Sequence, residues 1–277
     1  MRNWLCKRES NTSRREIELT IRRQELCQRR RKRFNKLSTE VEHMKKKFLL
    51  ALMTVVLCMG CVPVNAQSED EIVERGFYVT EITDEIFARI KGKSFKDNCT
   101  LPREDLRYLH VLHKNFNGET CEGEIICNAY IVADLLDIFQ KLYAAGYQIE
   151  KIRLVDEYNA DDETSMRDNN SSCFNFRFIS DTTKISKHGL GLAIDINTLY
   201  NPYVKVVDGK RILEPATAGA YVDRTKNFPH KIDTDDLCYK LFTAHGFEWG
   251  GNWTNPKDYQ HFELPDSIIA KLYPNNK

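Results

Sequence analysis

Apolar positions along this chain fall into groups with different spacings. An uncharged run from Phe48 to Val62 stands apart, and further on Ile72, Val73, Phe77, Ile82, Ile86, Phe87 and Ile90 keep a rough helical spacing. That spacing predicts a helical N-terminal arm over residues 67–100. Pro102 opens a new segment in which Leu106, Leu109, Val111 and Leu112 predict a buried element, closed by the turn signal Asn115-Phe-Asn-Gly118. Glu124-Ile-Ile-Cys127 reads as a short strand. Val132, Leu135, Leu136, Phe139, Leu142 and Tyr143 form one helix face that ends at Gly146.

Ile149 to Val155 predicts another strand, followed by a polar stretch, 156–185, that contains Arg167 and Arg177. A connection of that length in a small domain is often functional. Leu192 to Ile196 reads as a buried strand with Asp195 near its end. Asp233 or Thr234 is expected to cap a helix carrying Leu237, Leu241 and Phe242 and stopping at Gly246. Short strands alternating with moderate helices predict an α+β fold: a small, mainly antiparallel sheet with helices packed on one side.

The Phe48–Val62 run is short for a membrane span, which needs about 20 residues. It follows Met44-Lys-Lys-Lys47 and precedes Val64-Asn-Ala66, the layout of a secretory leader cut between Ala66 and Gln67. Met44 is then the expected start, and the basic extension 1–43, with 13 Lys/Arg against 6 Asp/Glu, reads as a misassigned start. Gly60-Cys61 offers an alternative, a lipoprotein attachment point, although Cys58 stands where such signals carry leucine.

Leader removal changes the charge picture. Residues 1–47 hold 16 Lys/Arg and 6 Asp/Glu, and 48–66 none, so a chain of net charge +1 leaves a segment 67–277 of charge −9. An acidic exported segment argues against a nucleic-acid partner. Five cysteines remain in it: Cys99, Cys121, Cys127, Cys173 and Cys238. Export permits disulfides, but five is odd and no Cys-x-x-Cys pair occurs, so buried free thiols are the simpler expectation.

Two stretches carry chemistry. Ser186-Lys-His-Gly-Leu-Gly-Leu-Ala-Ile-Asp195 sets a histidine and an aspartate seven residues apart, and Asp258-Tyr-Gln-His261 sets a carboxylate three residues before another histidine. His188, Asp195 and His261 make a three-ligand set for Zn2+ that leaves one position open to water. Asp258 is then the candidate proton acceptor for that water. Arg177 is the candidate partner for the oxyanion, with Arg167 as runner-up. Gly189 and Gly191 allow the tight backbone turn between the ligands. His110 and His113, three residues apart, lack a completing carboxylate and read as structural.

Together these stretches resemble the VanY-type zinc peptidases, which include D-alanyl-D-alanine carboxypeptidases and dipeptidases and L-alanyl-D-glutamate endopeptidases. The resemblance rests on Ser186, His188, Gly191, Ala193 and Asp195, then Asp258 and His261. Asp195-Ile-Asn197 with Asn201-Pro-Tyr203, Gly246-Phe-Glu-Trp-Gly-Gly-Asn-Trp253 and Phe174-Asn-Phe-Arg177 extend it over residues 105–265. It implies a peptidase domain over 101–277 with His188, Asp195 and His261 on zinc and Asp258, rather than glutamate, as base. It also implies that Arg177 polarises the scissile carbonyl, that Ser186 supports the loop, and that the substrates are peptidoglycan stem peptides. The rival from another class is a non-catalytic module that keeps zinc for stability and binds cell-wall peptide.

Overall fold

A computed structural model describes residues 76–179 and 182–276, all of which fall in one contact unit, Ile72–Lys277. The basic extension, the leader with its expected cut at Ala66, and Cys61 lie outside the described residues.

In chain order the elements begin with β1 (Tyr78–Glu81), α1 (Asp84–Ile90), β2 (Leu106–Lys114), β3 (Thr120–Asn128) and α2 (Val132–Ala144). Next come β4 (Lys151–Ile152), α3 (Asp162–Arg167), β5 (Asn170–Ser171) and β6 (Ala193–Asp195). The hairpin β7 (Tyr203–Val207) and β8 (Lys210–Glu214) is followed by α4 (Leu237–Ala244) and β9 (Glu248–Trp249). The chain closes with β10 (Lys257–Asp258), β11 (His261–Glu263) and α5 (Asp266–Leu272). The α+β class holds. The strands divide among three small antiparallel sheets, β1-β2-β3, β10-β7-β8 and β6-β11-β9, and one parallel pair, β4-β5.

The hairpin β2–β3 supplies much of the core. Its nine-residue register runs from Leu106↔Asn128 to Lys114↔Thr120, and Asn115 Oδ1 closes the turn by accepting from the amides of Asn117 and Glu119. Helix α2 lays Leu135, Leu136, Ile138, Phe139, Leu142 and Tyr143 onto the buried side of β2, and Gly146 ends it in the left-handed region (φ 67°). Phe242 of α4 stacks on Phe262 of β11 at 4.4 Å between centroids. That contact fixes the strand carrying His261 to the helical layer.

Four local expectations need correction. The arm is not helical throughout: Tyr78–Glu81 pairs antiparallel with Arg107–His110, and helix resumes at Asp84–Ile90, capped by Thr83. The unpaired edge of β2 recruits this segment, a long-range effect that local spacing does not encode. The strand expected over 149–155 is reduced to β4, because the chain enters a 3-10 turn at Val155. The polar connection 156–185 contains α3, whose cap is Asp161, and β5. The cap of α4 is Asp236, which accepts from the Cys238 amide, whereas Asp233 accepts from the Asp235 amide in the preceding turn.

The β7–β8 hairpin had a signal in Asp208-Gly209 between two alternating runs. Both residues take positive φ, 50° and 74°, as a two-residue hairpin turn requires. All five cysteines of the described residues are free. Among the described residues no helix is long and apolar enough to cross a membrane.

Candidate metal centre

The centre is built on the β6–β11 pair. Asp195, last residue of β6, lies directly opposite His261, first residue of β11, so both side chains leave the same face of the sheet. His188 reaches them from the loop that precedes β6. Ser186 Oγ accepts from the Gly189 amide at 2.9 Å, the supporting role its position suggested. Gly191 takes φ 65°, and a Cβ there would come within 2.8 Å of the Asn128 amide nitrogen. That amide donates to the Gly191 carbonyl at 2.8 Å, so the end of β3 holds the loop at a distance only glycine permits.

The three expected ligands converge. His188 Nε2 is 3.1 Å from His261 Nδ1 and 3.3 Å from Asp195 Oδ2, and His261 Nδ1 is 2.9 Å from Asp195 Oδ1. Ligands each about 2.0–2.1 Å from a tetrahedral zinc lie about 3.3 Å from one another. The outward nitrogens are occupied: His188 Nδ1 donates to the Cys173 carbonyl at 2.7 Å, and His261 Nε2 to Glu263 Oε2 at 2.9 Å. A carbonyl and a carboxylate both require an N–H, which leaves the inward nitrogens with their lone pairs free for a metal. The donor set therefore fits zinc.

Electrostatics follow from the same contacts. Burial pushes the Asp195 carboxyl up, but His188 and His261 outweigh it and hold the group well below the usual carboxylate range. Burial pulls the His261 imidazole down, while hydrogen bonds to Asp195 and Glu263 prevail and raise it to about 10. A cation held at the inward nitrogen of His261 would take the place of that proton, so its uptake would release it. Glu263 is lowered despite burial, by His261 and by Lys187, whose Nζ lies 2.7 Å from its Oε1.

Asp258 lies on β10, beside the set. Burial raises its carboxyl to about 7, with His261 pulling it back and Asp195 adding to the rise. Its Oδ1 is buried with no hydrogen-bond partner among the described residues. Gly250 packs so closely that a Cβ there would meet the Asp258 carbonyl at 2.6 Å, and the Trp253 ring stands 5.5 Å from that of His261. The Gly250-Gly251 loop thus borders the centre, while Trp249 is core.

The arginines are placed less directly. Arg177 has its backbone against the His188 loop, its carbonyl accepting from the Ser186 amide at 2.9 Å. Its guanidinium pairs with Asp162 at 3.1 Å. Arg167 pairs with Glu163, one turn back on α3, at 2.8 Å. His110 and His113 are structural: their Nδ1 atoms meet the carbonyls of Gly76 and Ile149, and three residues apart on a strand they face opposite ways.

Sequence reading missed Glu263 and Lys187. Glu263 follows His261 by two residues, which on a strand means the same face, and that spacing was an available signal. Lys187, adjacent to His188, gave none. No solved structure matches the chain. Residues 180–264, which carry all three expected ligands and Asp258, match the family model described as D-alanyl-D-alanine carboxypeptidase, the family that the two motifs resemble.

Proposed function

We propose that the chain is a zinc-dependent peptidase that hydrolyses peptidoglycan stem peptides after export through its leader, as a D,D-carboxypeptidase or L-alanyl-D-glutamate endopeptidase. The observation that carries this reading is the convergence of His188 Nε2, His261 Nδ1 and the Asp195 carboxylate within 4.8 Å, with a buried, unpartnered Asp258 oxygen beside them. The family match over 180–264 supports the class of reaction.

His188, Asp195 and His261 hold the ion. Bound there, zinc supplies Lewis acidity and brings the pKa of a water to about 7. Asp258 accepts a proton from the attacking water as its oxygen bonds to the carbonyl carbon, and hands that proton to the amine as the C–N bond breaks. Arg177 exchanges Asp162 for the substrate and polarises the scissile carbonyl.

The test is incubation of the segment 67–277 with purified muropeptides and one equivalent of zinc, followed by mass analysis. New free amines at a single bond support the reading and identify the bond. Binding without cleavage would favour the zinc-stabilised binding module instead.

A further inference from the structure

Asp258 has a cross-strand neighbour in Tyr203, the last residue of the Asn201-Pro-Tyr203 stretch, to which the sequence assigned no role. In the β10–β7 pair Asp258 lies directly opposite Tyr203, and Tyr203 lies opposite Glu214 in β7–β8. Directly opposed residues project from the same face with Cβ atoms about 4.5–5.5 Å apart. The Asp258 side chain starts against Gly250, where an added Cβ would lie 2.7 Å from the Asp258 Cβ, and the same loop brings the Trp253 ring to 5.5 Å from that of His261. The phenol of Tyr203 therefore leaves the sheet on the side of the metal centre. It is half-buried and makes no hydrogen bond among the described residues. Arg177, the other candidate partner for developing negative charge, has its guanidinium against Asp162.

We propose that Tyr203 is a further catalytic residue, whose phenolic O–H donates a hydrogen bond to the scissile carbonyl oxygen and holds it as negative charge develops there. The assignment rests on the peptidase reading above. The phenol gives up no proton in the step. As the water oxygen bonds to the carbonyl carbon, the C=O electron pair moves onto the oxygen, and the Tyr203 hydrogen bond shortens to meet it. When the C–N bond breaks the pair returns, and the proton held by Asp258 goes to the amine. Such a donor contributes more in the transition state than in the ground state, so its loss appears in kcat rather than in KM.

Tyr203→Phe keeps the ring and its packing and removes only the donor. The expected result with a cleaved stem peptide is a fall of about 10²-fold in kcat, with KM within about twofold and zinc content unchanged. A phosphinate peptide, whose tetrahedral oxyanion mimics the transition state, should bind the variant about 10²-fold more weakly than it binds the wild type. Unchanged kcat and phosphinate affinity, or a loss confined to KM, overturns the assignment and leaves the peptidase reading standing. A wild-type protein inactive on every stem peptide overturns both.

Discussion

Glu263 and His261 share strand β11 and meet at 2.9 Å through Oε2 and Nε2, while the other oxygen of Glu263 accepts from Lys187 Nζ at 2.7 Å. Lys187 precedes His188, so one carboxylate connects the strand that carries one imidazole to the loop that carries the other. Partners of this kind fix a ligand's tautomer and raise its basicity. Removing the charge while keeping the shape should therefore weaken metal binding without unfolding the domain. Glu263→Gln is expected to lower zinc affinity about 10–100-fold, measured by competition with a chromophoric chelator.

The ligands themselves should be less forgiving. Wild-type protein is expected to hold about one zinc per chain, and His188→Ala or Asp195→Ala to lose it on dialysis. Metal analysis showing equal zinc in all three proteins, or none in any, would remove the basis of the site.

Asp258→Asn should retain zinc and lose about 10²–10⁴-fold in peptidase activity, the usual contribution of a positioned base. The sign of its pH dependence follows from its burial. The carboxyl, raised to about 7, is inert while protonated and active once ionised, so activity rises with pH. A bound cation pulls that value down towards the ordinary carboxylate value of about 4, which sets the acid limb of kcat/KM between the two. A flat profile from pH 4 to 8, or an unimpaired Asp258→Asn, contradicts the role.

Gly191→Ala combines a positive φ with a Cβ only 2.8 Å from the Asn128 amide nitrogen. The variant should be destabilised by about 1–3 kcal/mol in urea unfolding. Gly219→Ala, where a Cβ meets nothing within 4 Å and φ is not positive, is the control and should change little.

Thiol labelling tests the cysteine reading. Cys127, Cys173 and Cys238 are buried, and burial pushes their thiols up, so little thiolate is present at pH 8. Alkylation of native 67–277 should reach at most Cys99 and Cys121, with the remaining three modified only after unfolding. Resistance of two or four of the thiols in the unfolded, unreduced protein would indicate disulfides instead.

The metal set was legible in the sequence because its parts are local. His188 and Asp195 sit seven residues apart around Gly191, whose positive φ the turn demands, and Asp258 and His261 sit three apart. Residues that act across the sheets were not legible. Tyr203 gains its place from the register of β7 against β10, and Lys187 from the approach of β11 and α5 to its loop. The strand β1 was read as helix for the same reason: what decides it is the free edge of β2, about 30 residues away in the chain. Arg177 stands between these cases, its backbone tied to the ligand loop and its charge directed to Asp162.

The loop that carries His188 is held from outside the matched stretch. Asn128, at the end of β3, gives its amide to the Gly191 carbonyl and its side chain to the Leu190 carbonyl and to the Tyr273 hydroxyl, while Asn276 takes both backbone groups of Ile185. Residues 180–264 are thus not a cassette that can be excised with its chemistry intact. A graft of that stretch into another scaffold would carry every ligand and lose the clamp that aims one of them, and trimming the last dozen residues of the native chain would loosen the same imidazole from the opposite end.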